Sequence, residues 1–153
     1  MEAHEQTCPL TKGEQMLVAV DGSKNSEFAV DQAVSLGNMC NSTIYCISVV
    51  DVHPEVLSVA PDYVDQLTEQ VKEHLNKAKH KVEQAGIRCE TIIHTGAGPH
   101  EFILDEAKKK EIDLIVMGTH GRSALRNIFM GSVAQKVVGA APCPVMVIPG
   151  RTE

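Results

Sequence analysis

A chain of 153 residues with 43% hydrophobic and 22% charged content is long enough for one domain with a substantial core. Three Phe, two Tyr and no Trp make that core aliphatic and leave no stacking platforms for single-stranded nucleic acid. A formal net charge of −6 argues further against a nucleic-acid partner, which needs a basic face.

No apolar run approaches the roughly 20 residues that span a bilayer, so no membrane association is expected. The opening MEAHEQTCPLTKGEQ is polar and acidic and does not read as a secretory signal. Cys8, Cys40, Cys46, Cys89 and Cys143 are odd in number, scattered and without CxxC, the pattern of reduced thiols in a cytoplasmic protein. Cys46, Cys89 and Cys143 fall in or beside predicted strands and read as small buried hydrophobes. No Cys/His grouping has zinc-ligand spacing.

Residues 1–14 show no periodicity and are expected to form a flexible tail ahead of a domain over 15–150. Gln15–Val20 is a continuous apolar run, as expected of a strand buried on both faces, and it gives way to turn chemistry at Asp21-Gly22-Ser23. Asn25 or Ser26 is the predicted cap of a helix with Phe28, Ala29, Ala33, Val34 and Leu36 inward, ending near Gly37. A second strand, Thr43–Val50, is rich in β-branched residues. Asp51–Pro61 carries two prolines and reads as a surface loop long enough to cover a ligand. The longest predicted helix, Asp62–Ala85, places Val64, Leu67, Val71, Leu75, Ala78, Val82 and Ala85 on one face and stops at Gly86. A third strand, Arg88–His94, precedes a helix opened by Pro99, with Phe102, Ile103 and Ala107 inward and Lys108-Lys109-Lys110 at its carboxyl end. Strand four (Asp113–Met117), a glycine loop, helix four (Val133–Ala141) and strand five (Pro144–Ile148) complete the chain. Strands alternating with helices predict an α/β fold, one parallel sheet with helices on both faces.

The most informative stretch is Met117–Val133, MGTHGRSALRNIFMGSV. Glycine permits positive φ and lets an anion approach backbone N–H groups. Ser132 stands where a helix N-cap is expected, and the helix start that follows attracts phosphate. Neither GxxxxGK[ST] nor GxGxxG is present; the pattern is G-x2-G-x9-G-S, formed by Gly118, Gly121, Gly131 and Ser132. In such a sheet ligands bind beyond the carboxyl ends of the strands, where strand order reverses. Strands one and four are the expected flanks.

That glycine pattern, with LVAVDGSKNS, ISVVDV and APCPVMVIP, resembles the universal stress protein family, in its ATP-binding branch, over Met16–Pro149. The resemblance implies a single-domain, Rossmann-like five-stranded parallel sheet (adenine nucleotide alpha hydrolase-like) with strand order 3-2-1-4-5. It implies that Ala19, Val20 and Val49 lie against adenine and that Asp21 serves the ribose or a Mg2+ or Mn2+ ion held with the phosphates. The resemblance also implies that Ser23 belongs to the same binding turn. Met117, Gly118 and Gly121 resemble the positions that contact ribose and phosphate, Arg122 a basic position beside them, and Gly131, Ser132 and Val133 the cradle of the β- and γ-phosphates. Val145, Met146, Val147 and Ile148 resemble the last strand, which in this family pairs with its mate in a second subunit and so implies a homodimer.

The function these features imply is ATP or adenine-nucleotide binding by a dimeric stress-response regulator whose occupancy controls a protein partner. Two other readings stay open: a slow ATPase or self-phosphorylating enzyme, and a dimerisation module that binds no nucleotide. No acid/base pair accompanies Ser132 and Arg122, and His120 reads as a water-exposed loop histidine, so no catalytic residue is assigned. VDGSKNS also departs from the SGGxDS of ATP pyrophosphatases.

Overall fold

The apolar runs assemble into a five-stranded, wholly parallel sheet in a computed structural model that describes residues 7–120 and 130–150. The strands are β1 (Gln15–Ala19), β2 (Thr43–Asp51), β3 (Arg88–Gly96), β4 (Leu114–Gly118) and β5 (Val145–Ile148). The helices are α1 (Lys24–Cys40), α2 (Pro54–Val59), α3 (Pro61–Gln84), α4 (Pro99–Lys109) and α5 (Ser132–Ala140). The order β3-β2-β1-β4-β5 leaves β3 and β5 at the edges and reverses direction of travel between β1 and β4.

Side chains alternate across each strand, so every buried strand feeds two cores. Met16, Val18, Ile44, Leu114 and Val116 face α1 and α3, where Ala29, Val30, Ala33, Leu75, Ala78 and Val82 close over them. Leu17, Ile47, Ile115 and Met117 face α4 and α5, meeting Ile103, Ala107, Ala134 and Val137. No helix among the described residues is long and apolar enough to cross a membrane.

Several local expectations are corrected. Helix α1 is capped by Ser23, whose Oγ accepts from the N–H of Ser26, rather than by Asn25 or Ser26. It runs past Gly37 to Cys40 and ends at Asn41 in the left-handed region (φ 51°, ψ 48°). Gly37 instead lies buried in the helix, where a Cβ would come 3.1 Å from Ile44 Cδ1 and 3.2 Å from Ile87 Cδ1. Its role is close approach, which a sequence pattern cannot distinguish from termination. The 51–61 stretch holds a short helix, α2, started by Pro54 and carrying no buried residue. Its prolines initiate α2 and α3, because each stands at a first helical turn where its missing N–H costs nothing.

The cysteines divide differently from expectation. Cys46 and Cys89 are buried, as read, and Cys143 is half-buried. Cys8 and Cys40, however, form a disulfide with Cα atoms 4.5 Å apart. Residues 8–13 fold back against the end of α1, and a separation of 32 residues carries no signal of that return. Ser42 Oγ donates to the carbonyl of Gly13, and Thr43 N–H donates to that of Glu14 at 2.8 Å.

Candidate functional site

The carboxyl ends of β1, β2 and β4 open into a cleft of about 600 Å3 at the reversal of strand order. Each wall follows from a strand ending. Where β1 stops, Ala19, Val20 and Asp21 line the cleft, with Val20 still buried against the core. Val20 N–H still donates to Ile47 O at 2.8 Å, while Asp21 Oδ1 accepts from Ser23 N–H at 2.9 Å and Asp21 N–H donates to Ser26 Oγ at 3.3 Å. This turn leaves the second carboxylate oxygen of Asp21 outside that bond. Ile47, Ser48, Val49, Val50 and Asp51 supply the β2 wall. Leu67, Gln70 and Val71 of α3 close one side, and Pro99 and Ile103 of α4 the other.

The fourth wall is β4 and the start of α5: Met117, Gly118, Thr119 and His120, then Gly131, Ser132, Val133 and Ala134. Thr119 N–H donates to Ile148 O at 3.0 Å, and Thr119 O accepts from Gly131 N–H at 2.6 Å, which pins the far end of the glycine stretch beside β4. Gly131 is the N-cap of α5 (φ −66°, ψ 161°), and Ser132 is its first helical residue; Ser132 as cap is therefore corrected. Because Gly131 has ordinary extended backbone, the glycine is there for room: a Cβ would sit 3.1 Å from Thr119 O. First-turn N–H groups of a helix have no intrahelical acceptor, and Ser132, Val133 and Ala134, the first residues of α5, line the cleft.

Gly118 is held more tightly still. A Cβ there would lie 2.8 Å from Asn25 Cβ and 3.1 Å from the Asn25 carbonyl carbon, so β4 and α1 touch backbone to backbone. Asn25 Nδ2 also donates to His120 O at 3.1 Å, tying the loop after β4 to the start of α1. His120 is half-buried and lines the cleft, with Nδ1 3.0 Å from Thr119 Oγ1, so its reading as a water-exposed loop residue is corrected.

Of the residues singled out from sequence, Ala19, Val20, Asp21, Val49, Met117, Gly118, Gly131, Ser132 and Val133 line this one cleft. Ser23 is not among the lining residues; it caps α1 and supports Asp21 from behind. Gly121 and Arg122 lie outside the described residues. Ser48, Gln70 and Thr119 also line the cleft and were not singled out, while Asp51, read as the start of a segment that could cover a ligand, lines it too. The alternation of β2 signalled Ser48, a polar residue inside an apolar strand, but nothing local marks Gln70. Among the described residues no group of three or more His, Cys, Asp or Glu side chains converges as a metal site. The walls are apolar around Ala19, Val20, Val49 and Met117, with acid at Asp21 and helix N–H groups opposite. That arrangement suits a ligand with a flat apolar body, hydroxyls and an anionic tail.

The family model described as the universal stress protein family matches residues 14–149. Universal stress protein MJ0531 of Methanocaldococcus jannaschii is 36% identical over 138 residues, covering 88% of this chain and 81% of its own. The solved structure of universal stress protein UspA from Lactobacillus plantarum superimposes with a TM-score of 0.81 at 29% identity, covering 90% of this chain and 99% of that one. An Archaeoglobus fulgidus universal stress protein, solved in complex with dAMP, shares the fold at 23% identity, with a TM-score of 0.69 and coverage of 91% and 99%. With the family model spanning the strands, helices and cleft described above, the chain belongs to the universal stress protein family.

Proposed function

We propose that the cleft binds ATP or a closely related adenine nucleotide, and that the protein acts as a dimeric, nucleotide-dependent stress-response regulator in the cytoplasm. The observation that carries this reading is the meeting of Asp21 with the amino end of α5 across one apolar cleft. Adenine would lie among Ala19, Val20 and Val49, and Asp21 would accept the ribose hydroxyls. The phosphates would be held by the first N–H groups of α5 and by the room that Gly131 leaves beside Thr119. A Mg2+ or Mn2+ ion would be held chiefly by the phosphates, with Asp21 as its protein ligand, and would offset their charge. The dAMP complex of the Archaeoglobus fulgidus protein supports an adenine nucleotide as the class.

Occupancy would reach a partner through α2. That helix buries nothing, exposes Leu57 and Val59, and leads directly from the cleft residue Asp51. Dimerisation would use β5, whose outer edge has no strand beside it among the described residues.

Calorimetric titration of ATP with Mg2+ into the wild type and a Gly131→Ala/Ser132→Ala variant tests the reading. Micromolar binding that the folded variant loses is expected. Absence of binding by folded, nucleotide-free wild type would refute it.

A further inference from the structure

The disulfide between Cys8 and Cys40 lies at the amino-terminal end of the sheet, opposite the cleft. It joins a segment without regular structure to the last residue of α1. From Gly13 onward the chain is firmly held: Gly13 and Glu14 accept from Ser42 and Thr43, and Gln15 N–H donates to Asp113 Oδ2 at 3.0 Å. Ahead of Gly13 the holds are few. Leu10 packs against the edge of the core, and Lys12 Nζ lies 3.6 Å from Asp113 Oδ1. The Lys12 side chain is 70% exposed, and an ion pair so solvated contributes little. Gly13 lies directly under the bridge, where a Cβ would meet Cys40 Sγ at 3.2 Å and Leu10 Cδ1 at 3.1 Å. The bond is thus the principal restraint on residues 8–12.

Both half-cystines are partly exposed, whereas the remaining close pair of sulfurs is not. Cys46 Sγ and Cys89 Sγ lie 3.8 Å apart inside the core, and their contact, reinforced by burial, pushes the Cys46 thiol pKa up. Thiol–disulfide exchange needs an incoming thiolate to reach a sulfur. Among the described residues the Cys8–Cys40 bridge is the one disulfide, and it joins two partly exposed residues.

We propose that Cys8–Cys40 is a reversible thiol–disulfide exchange site, a latch whose reaction partner is a dithiol reductant. One thiolate of the dithiol attacks a bridge sulfur, forming a mixed disulfide and expelling the other cysteine as a thiolate that takes up a proton. The second thiol of the dithiol then displaces the remaining cysteine. Two electrons and two protons pass to Cys8 and Cys40, and the dithiol leaves as its own disulfide. Residues 8–12 are freed up to the anchor at Gly13, and Leu10 leaves the core edge. Exchange with a low-molecular-weight disulfide closes the latch by the reverse steps.

The test is alkylation and peptide mass spectrometry of the folded full chain before and after dithiothreitol, with methyl NMR spectra of both forms. Dithiothreitol is expected to add two alkylated sites, Cys8 and Cys40, while Cys46 and Cys89 stay unlabelled until denaturant is added. The Leu10 methyl resonances, set by packing at the core edge, should collapse to random-coil positions on reduction, with those of Leu17 and Val18 unchanged. A Cys8→Ser variant should show the same Leu10 shift without reductant. Reduction only under conditions that also expose Cys46 would overturn the proposal, as would identical Leu10 methyl spectra in the oxidised, reduced and Cys8→Ser proteins.

Discussion

His94 Nε2 lies 2.9 Å from Glu106 Oε1, joining the edge strand β3 to α4 through a carboxylate that is otherwise buried. Lys110 Nζ approaches Glu106 Oε2 at 3.5 Å and lies 5.4 Å from the Tyr45 ring centroid, while the His94 ring stacks on Phe102 at 4.8 Å. Burial alone would raise the Glu106 pKa, but the His94 hydrogen bond and the Lys110 charge outweigh it and hold the carboxyl below its usual range.

The sign of the pH effect follows. A carboxylate whose folded pKa is depressed contributes stability above its unfolded pKa and loses it as pH falls through the folded value. Thermal unfolding should therefore show a fall in Tm on acidification through and below the ordinary glutamate range, and Glu106→Gln should flatten it. Glu106→Ala should cost about 1–2 kcal/mol near neutral pH, less than a fully buried pair because His94 and Lys110 are partly solvated.

Asp21 combines two roles that one substitution separates. Asn keeps an oxygen to accept from Ser23 N–H but removes the charge. Asp21→Asn should change stability by less than about 0.5 kcal/mol and weaken ATP binding about tenfold, which corresponds to about 1.4 kcal/mol. Asp21→Ala should lose the turn bond as well and lower Tm. Denaturant melts beside calorimetric titrations distinguish the two.

Gly118→Ala drives a Cβ into the Asn25 backbone, which cannot move without shifting α1. The expected cost is about 1–3 kcal/mol, together with weaker nucleotide binding because Gly118 lines the cleft. Gly86→Ala is the contrast. Nothing lies within 4 Å of its Cβ, yet φ is +78°, so only backbone strain of about 1–2 kcal/mol should appear, with affinity unchanged.

The β5 edge makes the proposed dimer testable. Val145 packs with the α4–α5 core and Met146 and Ile148 with the other, while Val147 belongs to neither group. Val147→Lys should convert a dimer to a monomer in sedimentation equilibrium while Tm, measured at matched concentration, falls only by the lost dimer contribution. A monomeric wild type would refute pairing through β5.

The strands were legible in the sequence because a strand buried on both faces must be apolar at consecutive positions, and Leu17-Val18 and Ile115-Val116 satisfy that rule locally. Strand–helix alternation then restricts the fold to a parallel sheet, and the strand ends at Asp21 and Met117 mark where a cleft must open. Recognising the family supplied the strand order, which periodicity alone does not contain. Other features depend on which elements the fold brings together. The Cys8–Cys40 bridge, the His94–Glu106 pair and Gln70 in the cleft wall join residues through space, across separations that no local pattern encodes. Gly37 and Ser132 show the same limit at short range. A glycine that ends a helix and one that lets it approach a sheet look identical in sequence, and whether Gly131 or Ser132 caps α5 is decided by the bond from Gly131 to Thr119. Local propensity sets the elements; packing against a neighbour decides what each small or polar residue is for.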